Sequence, residues 1–367
     1  MGSSVAENLV SEHNDITVID SDASCLSILQ ERFDLRGVVG DGTQVSTLQA
    51  AGAEDVDMLI ACASQDSINL VACKIARKIF NVPRRVARIR SAELPKIPEL
   101  LDEDGFCVNA VISPENSVTN YLIKLIKFPE ALQVVDMADG LVSVITVRLS
   151  SQSSMANHAL KDLRVLNPDV NARVVSIWRS GFSVDVTPET ILRPQDEVLL
   201  ITDTADAQTA IDQMRVGHTS VRRIMIAGGG NIGARLARQL GEGGYNVRII
   251  EQSASRCEKL AMSLPDNVLV LQGNGTDESL LQSEGIEDMD TWLALTSEDE
   301  DNIMSSLLAK RMGARRVIAL INRQAYGELM EGSHIDIAVS PSQATMSELL
   351  RYVRRGDIVA AHRLRGG

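Results

Sequence analysis

A chain of 367 residues, 44% hydrophobic and 23% charged, is long enough for two to four domains that each bury a core. Its formal net charge of −13 argues against a nucleic-acid partner, and no stretch approaches the roughly 18 consecutive apolar residues of a membrane helix. Five scattered cysteines without C-x-x-C spacing and five dispersed histidines exclude a disulfide scaffold and a metal finger, and fit reduced thiols in a cytoplasmic protein with no secretory leader.

The first 112 residues alternate strand and helix in the manner of a doubly wound parallel sheet. Strands are expected at Ile16–Ile19, Gly37–Val39, Met58–Ala61, Arg85–Ile89 and near Asn109–Val111. Asp20, the Gly40-Asp41-Gly42-Thr43 turn and the Ser64-Gln65-Asp66 segment fall just beyond strand C-termini, the edge where such sheets bind ligands. Ser64 also reads as a helix N-cap, with the acids after it on the helix dipole; Ala63 is better placed to touch a ligand. Pro114 opens an amphipathic helix with Val118, Tyr121, Leu122, Leu125 and Ile126 on one face. That helix packs either on its own sheet or across onto a neighbouring module.

Residues 132–216 differ in kind. Strands at Leu141–Leu149, Ala172–Trp178 and Glu197–Thr202, with short helices at Met155–Leu163 and Asp206–Met214, make a small α+β domain without a catalytic signature.

From Val221 to Glu251 the chain reads strand, glycine turn, helix, strand, acid. Ile224–Ala227 precede Gly228-Gly229-Gly230-Asn231-Ile232-Gly233; Ala234, Leu236, Ala237 and Leu240 follow at helical spacing, and Glu251 ends the next apolar run. This is the dinucleotide fingerprint G-x-G-x-x-G in its full context. Glycines let the backbone approach a pyrophosphate, the helix N-terminus supplies free N–H groups, and a carboxylate accepts from ribose hydroxyls. Strands continue at Val268–Leu271, Thr291–Ala294, Arg316–Leu320 and Ile335–Val339.

The two ends of the chain are copies of one module. Ile16–Asp20 aligns with Val247–Glu251, Gly40–Thr43 with Gly273–Thr276, Glu54–Asp57 with Glu287–Asp290, and Ser64, Asp66 and Asn69 with Ser297, Asp299 and Asn302. Asn274 and Thr296 are therefore the counterparts of Asp41 and Ala63. Gly233 aligns with Gly2, so the first copy lacks the strand that is central in the usual order and most of its glycine loop. Since that strand would bury several aliphatics, Met1 is expected to be an artificial or misassigned start. Asp357–Leu364 resembles the first strand of a second small domain, so the C-terminus is also expected to be cut. The domain plan is thus 1–112, 113–217, 218–340 and 341–367.

With Ile19-Asp20, Gly40–Thr43, Ala87-Arg88-Ile89-Arg90 and the Ser-Pro helices after each module, this architecture closely resembles the TrkA-type regulatory subunits of bacterial potassium uptake systems, which are tandem RCK (or KTN) proteins. The resemblance covers essentially the whole chain. It implies two Rossmann-like domains around a small α+β domain. It further implies a homo-oligomeric ring (dimer or tetramer), cytoplasmic and peripheral on the inner face of the cell membrane, beneath a TrkH-type potassium channel. The implied ligands are NAD(H) and adenine nucleotides such as ATP and ADP. Carried over, Asp20 meets ribose, Asp41 and Ala63 the adenine side, and Arg88 phosphate. In the second site Gly228, Gly229, Gly230, Asn231, Ile232 and Gly233 hold phosphate and Glu251 ribose, with Asn274 and Thr296 beside the base. Leu320 stands where the first module has Arg88, which implies different ligand preferences.

A dehydrogenase would need a proton-transferring His, Lys or Tyr facing a nicotinamide, and neither copy has one beside it. The regulatory module of a potassium-efflux antiporter is a further alternative, though there the module usually occurs once. The expectation is therefore a regulator and not an enzyme.

Overall fold

A computed structural model describes residues 2–10, 14–91, 93–137, 140–162, 171–214, 221–330 and 334–345. Contacts divide them into two units, one of residues 2–115 with 342–345 and one of residues 116–341.

The first unit opens with the helix Gly2–Val10, then β1 (Thr17–Asp20) and β2 (Arg36–Val39), which pair in parallel as a two-stranded sheet. β3 (Met58–Ala61), β4 (Arg84–Arg88) and β5 (Ala110–Ile112) form a separate parallel sheet in the order β3-β4-β5. Val5 and Leu9 of the first helix pack with Val86, Ala110 and Ile112. The helix Asp66–Lys78 places Leu70, Ala72 and Cys73 against Ala61, Ala87 and Ile89. Arg85 is buried in this half, yet its guanidinium donates to the carbonyls of Cys107, Val82 and Pro83 at 2.7–2.8 Å and pairs with Glu103. A buried cation is tolerated where its donors are satisfied in this way.

The helix Pro114–Lys127 leads into the small domain, with proline in its first turn as expected. β6 (Ala131–Met137), β7 (Val142–Arg148), β8 (Ala172–Arg179), β9 (Phe182–Val184) and β10 (Glu197–Asp203) make an antiparallel sheet in the order β6-β7-β10-β8-β9. The helix Ala207–Met214 covers one face, burying Ala210, Ile211 and Met214 against Ile145, Val147, Ile177 and Leu200. Sequence reading missed β6 and β9 and placed a helix at 155–163. The described part of that segment is turns and the short 3-10 helix Leu160–Asp162. Its backbone bonds cross to another segment: Asn157 N–H donates to the Leu192 carbonyl at 2.7 Å, and Leu160 N–H to Thr190 at 3.0 Å. Asn157 also sits at φ 65°, which ends any helix there.

The rest of the second unit is a six-stranded parallel sheet of β11 (Arg223–Ala227), β12 (Asn246–Glu251), β13 (Val268–Gln272), β14 (Thr291–Ala294), β15 (Arg316–Leu320) and β16 (Ile337–Val339). The order β13-β12-β11-β14-β15-β16 is that of a doubly wound dinucleotide fold, with the order reversing at β11. Trp292, Ile226 and Ile318 are fully buried within it. The question left open for the helix Pro114–Lys127 is answered here. The buried Arg316 at the start of β15 donates to the carbonyls of Leu125 (2.7 Å) and Ala131 (2.6 Å), so the helix end packs on the second module. A guanidinium is the natural partner for the unpaired carbonyls of a helix C-terminus.

The expected strand at Asp357–Leu364 lies outside the described residues. No helix among the described residues is long and apolar enough to cross a membrane.

Candidate functional site

The second module brings its fingerprint residues together at the C-terminal edge of β11, β12 and β13. The apolar β11 runs straight into Gly228, whose φ of 105° and whose Cβ position, 2.8 Å from the Leu295 carbonyl, admit only glycine. A Cβ on Gly233 would fall 1.9 Å from the Gly228 carbonyl, so this glycine allows the helix Asn231–Glu242 to sit close against the strand. Gly230 is different. It caps the helix with φ −69° and ψ −169°, extended backbone open to any residue, and a Cβ there would meet nothing within 4 Å. The fold demands glycine at 228 and 233 but not at 230. At 230 open space lies over the first-turn N–H groups of Asn231, Ile232 and Gly233, which have no intrahelical partners.

Glu251 ends β12 nearly buried, at 7% exposure. Its Oε2 accepts from Gly229 N–H at 3.0 Å, its Oε1 from Ser253 N–H at 2.8 Å, and Arg256 approaches Oε2 at 3.4 Å. The carboxylate is thus fixed directly beside the glycine loop. The turn after β13 is tied to it, because Gly273 N–H donates to the Glu251 carbonyl at 3.0 Å. Asn274 Oδ1 then accepts from the backbone N–H (3.0 Å) and hydroxyl (2.9 Å) of Thr276.

Thr296 follows β14 and is held by Asn302. Asn302 Oδ1 accepts from Thr296 N–H (2.9 Å) and its hydroxyl (2.7 Å), while Nδ2 donates to the carbonyls of Thr296 (3.1 Å) and Leu320 (2.9 Å). Four bonds on one fully buried amide pin the ends of β14 and β15 together. The backbone N–H of Thr296 is consequently not available to a ligand.

The first module repeats these details at Asp20, Asp41, Ala63 and Arg88. Asp20 is exposed and accepts from Asp22 N–H at 3.0 Å; Asp41 Oδ1 accepts from the N–H and hydroxyl of Thr43, both at 2.8 Å. Asn69 binds the N–H and carbonyl of Ala63 and the Arg88 carbonyl, as Asn302 does for Thr296 and Leu320. Thr43 holds the Asp41 carboxyl below the usual carboxylate range. Burial pulls the Arg88 guanidinium down, the nearby Arg90 adds to this, and its buried Nε has no hydrogen-bond partner among the described residues. A buried cationic donor without a partner suits a phosphate oxygen.

Ser64 and Ser297 do not cap. The caps are Gln65 and Glu298, without side-chain bonds. The acids that follow are neither dipole partners alone nor open to a ligand. Asp299 accepts from the N–H groups of Asn322 and Arg323 (both 2.8 Å), and Asp66 from those of Arg90 (3.0 Å) and Ser91 (2.9 Å). These acids brace the loop after the next strand. The strand-end position marked Asp66 and Asp299, and the duplication alone marked Asn69 and Asn302; their roles need the fold. Among the described residues no cluster of His, Cys, Asp or Glu could hold a metal ion.

Residues 1–114 and 224–341 match the TrkA-N domain family, and residues 144–215 match the TrkA-C domain family. The chain is 44% identical over 368 residues to the Trk system potassium uptake protein TrkA of Vibrio alginolyticus, covering all of this chain and 80% of that protein. It is 42% identical to the protein of the same name from Halomonas elongata, with the same coverage. Among solved structures, the GsuK channel bound to NAD superposes with a TM-score of 0.69 at 18% identity, covering 95% of this chain and 61% of that one.

Proposed function

We infer the function from family membership, for this chain belongs to the TrkA family of Trk-system potassium uptake proteins. In our reading it is the nucleotide-sensing subunit of a cytosolic gating ring, peripheral on the inner face of the membrane, that regulates a TrkH-type potassium channel. It works as a homo-oligomer and is a regulator, not an enzyme. Its ligands are NAD(H) or adenine nucleotides such as ATP and ADP.

Gly230 carries this reading. The protein itself gives no reason for glycine there, since the backbone is ordinary and the space above it open. A pyrophosphate lying on the helix N-terminus does give one. Glu251, held at the loop, accepts from ribose hydroxyls, and Asn274 and Thr296 flank the base. The first site offers Asp20, Asp41, Ala63 and Arg88 in the same roles. A neighbour of the same fold is bound to NAD, which supports a dinucleotide as one ligand class.

The mechanism is linkage. A nucleotide that binds one ring geometry better than another shifts the ring by that difference in affinity and by no more.

Binding of NADH, ATP and ADP should be measured by calorimetry on wild type and on Gly230→Asp. Aspartate is a good N-cap, so the fold is expected to hold and the Tm to stay within about 2 °C. Its charge and bulk in the phosphate space should weaken binding about tenfold or more. Unchanged binding would remove the glycine loop from the site.

A further inference from the structure

β13 is the outermost strand of the six-stranded sheet, and among the described residues its one strand partner is β12. The parallel register fixes which of its backbone groups face outward. Val247 N–H donates to the Asn267 carbonyl at 3.4 Å and Gly273 N–H to the Glu251 carbonyl at 3.0 Å. Residues 267, 269, 271 and 273 therefore turn towards β12, while Val268, Val270 and Gln272 turn away. Val268 N–H is met locally by the Pro265 carbonyl at 2.9 Å. That leaves the Val268 carbonyl and both backbone groups of Val270 and Gln272 without a backbone partner among the described residues. The strand reads Val268-Leu269-Val270-Leu271-Gln272, with neither the charge nor the proline that usually guards an edge, and Leu269 is 49% exposed. By contrast β2, the corresponding strand of the first module, carries Arg36, and β16 at the opposite edge has three residues.

Resting on the homo-oligomer reading above, we propose that β13 pairs with β13 of a second copy of this chain, antiparallel about a two-fold axis at Val270. In that register the strand is complementary to itself. The two Val270 residues exchange both backbone bonds, and each Gln272 N–H meets the Val268 carbonyl of the other copy. Leu269 falls opposite Leu271 of the other copy, in the closely spaced pair that lacks backbone bonds, and the exposed leucine is covered. A two-fold contact sets one patch against itself, and the uncharged strand brings no like charges together. The contact is small, below about 1,200 Å² in total, which suits an interface that opens and closes within a larger assembly. β13 also runs directly into the Gly273 turn that is tied to Glu251, so the contact lies one turn from the candidate site.

The test uses the full chain carrying Val270→Cys, whose Cα atoms would lie about 5.5 Å apart across the two-fold axis, within the span of a disulfide. Mild oxidation with copper phenanthroline should give a covalent dimer, and peptide mapping should place its bond between the two copies of position 270. Adding Leu269→Lys puts a cation into each leucine pair and should cut the yield about tenfold or more. Because Leu269 is half exposed, the Tm of that variant should stay within about 2 °C of wild type. Light scattering on wild type reads the assembly separately. If wild type associates but no bond forms at position 270, or Leu269→Lys leaves the yield unchanged, the inference is overturned and the homo-oligomer stands; the edge is then free for a strand of another protein. If wild type is monomeric at every concentration tried, the homo-oligomer reading fails and this inference fails with it.

Discussion

In the second module β11 pairs with β12 on one side and β14 on the other, while in the first no described strand lies between β1 and β3. Burial differs with this pairing. Ile249 and Ile250 of β12 are buried, whereas no residue of β1 is, and Val39 at the end of β2 is 60% exposed. Glu251 is buried against Gly229, whereas Asp20 stands exposed with its own turn as partner. Yet the Asn69 and Asn302 ties, the Asp66 and Asp299 braces and the Asp41 and Asn274 turns are the same in both. These strand-end loops are shaped by direct bonds from single side chains to backbone, which both copies keep. Burial, by contrast, is a property of the whole sheet, and the six-stranded sheet supplies more of it to β12 than the two-stranded sheet does to β1.

The largest effect that would sharpen this contrast comes from one alanine placed in each copy. Gly233→Ala forces a methyl onto the Gly228 carbonyl, and we expect a loss of about 3 kcal/mol or more in the second unit. At the equivalent Gly2 the new Cβ would rest 3.5 Å from the Cys62 sulfur, an ordinary contact, so Gly2→Ala should change stability by less than about 0.5 kcal/mol. Urea titrations of both variants measure this, and equal losses would break the comparison.

A smaller effect is expected one loop away. Gly275→Ala meets the Ala227 methyl at 2.8 Å and should cost about 1–2 kcal/mol. Gly42→Ala meets nothing within 4 Å and should be neutral to within about 0.5 kcal/mol. A loss at Gly42 equal to that at Gly275 would mean that something does pack on the first turn.

The repeat explains how much of this was legible in the sequence. Local apolar runs and glycine spacing give β11, its loop, the helix after it and Glu251, because each depends on neighbours within about 30 residues. What could not be read depends on distant partners. β6 lies in an undifferentiated run from Ala131, and the 155–163 segment has helical composition, but its backbone bonds go to residues 190–192. Serine before an acid looks like a cap; only the fold shows that the acid reaches the loop after the next strand. The crossing of the helix Pro114–Lys127 was undecidable from its own face, because Arg316, which holds it, is some 190 residues away.

The smallest effect needs no substitution, because the chain carries a separate reporter in each unit. Trp292 is fully buried in the second module and Trp178 lies in the same unit, so tryptophan fluorescence follows that unit alone. Cys73 is fully buried in the β3–β5 half of the first, and burial pushes its thiol from 9.0 up to about 12. Such a thiol is alkylated only when the surrounding structure opens. Its ionisation favours the unfolded chain from about pH 9 upward, since the raised folded value keeps it neutral until about 12, so alkali should weaken the first unit. A urea series at pH 8 stays below that window. Because the first unit holds its strands in two separate sheets, Cys73 should become reactive at a urea concentration at least about 0.5 M below the fluorescence transition. If the tryptophans respond first, or if both probes move together, then holding β1–β5 in two separate sheets has not made the first unit the weaker one, and burial alone is a poor guide to which copy yields.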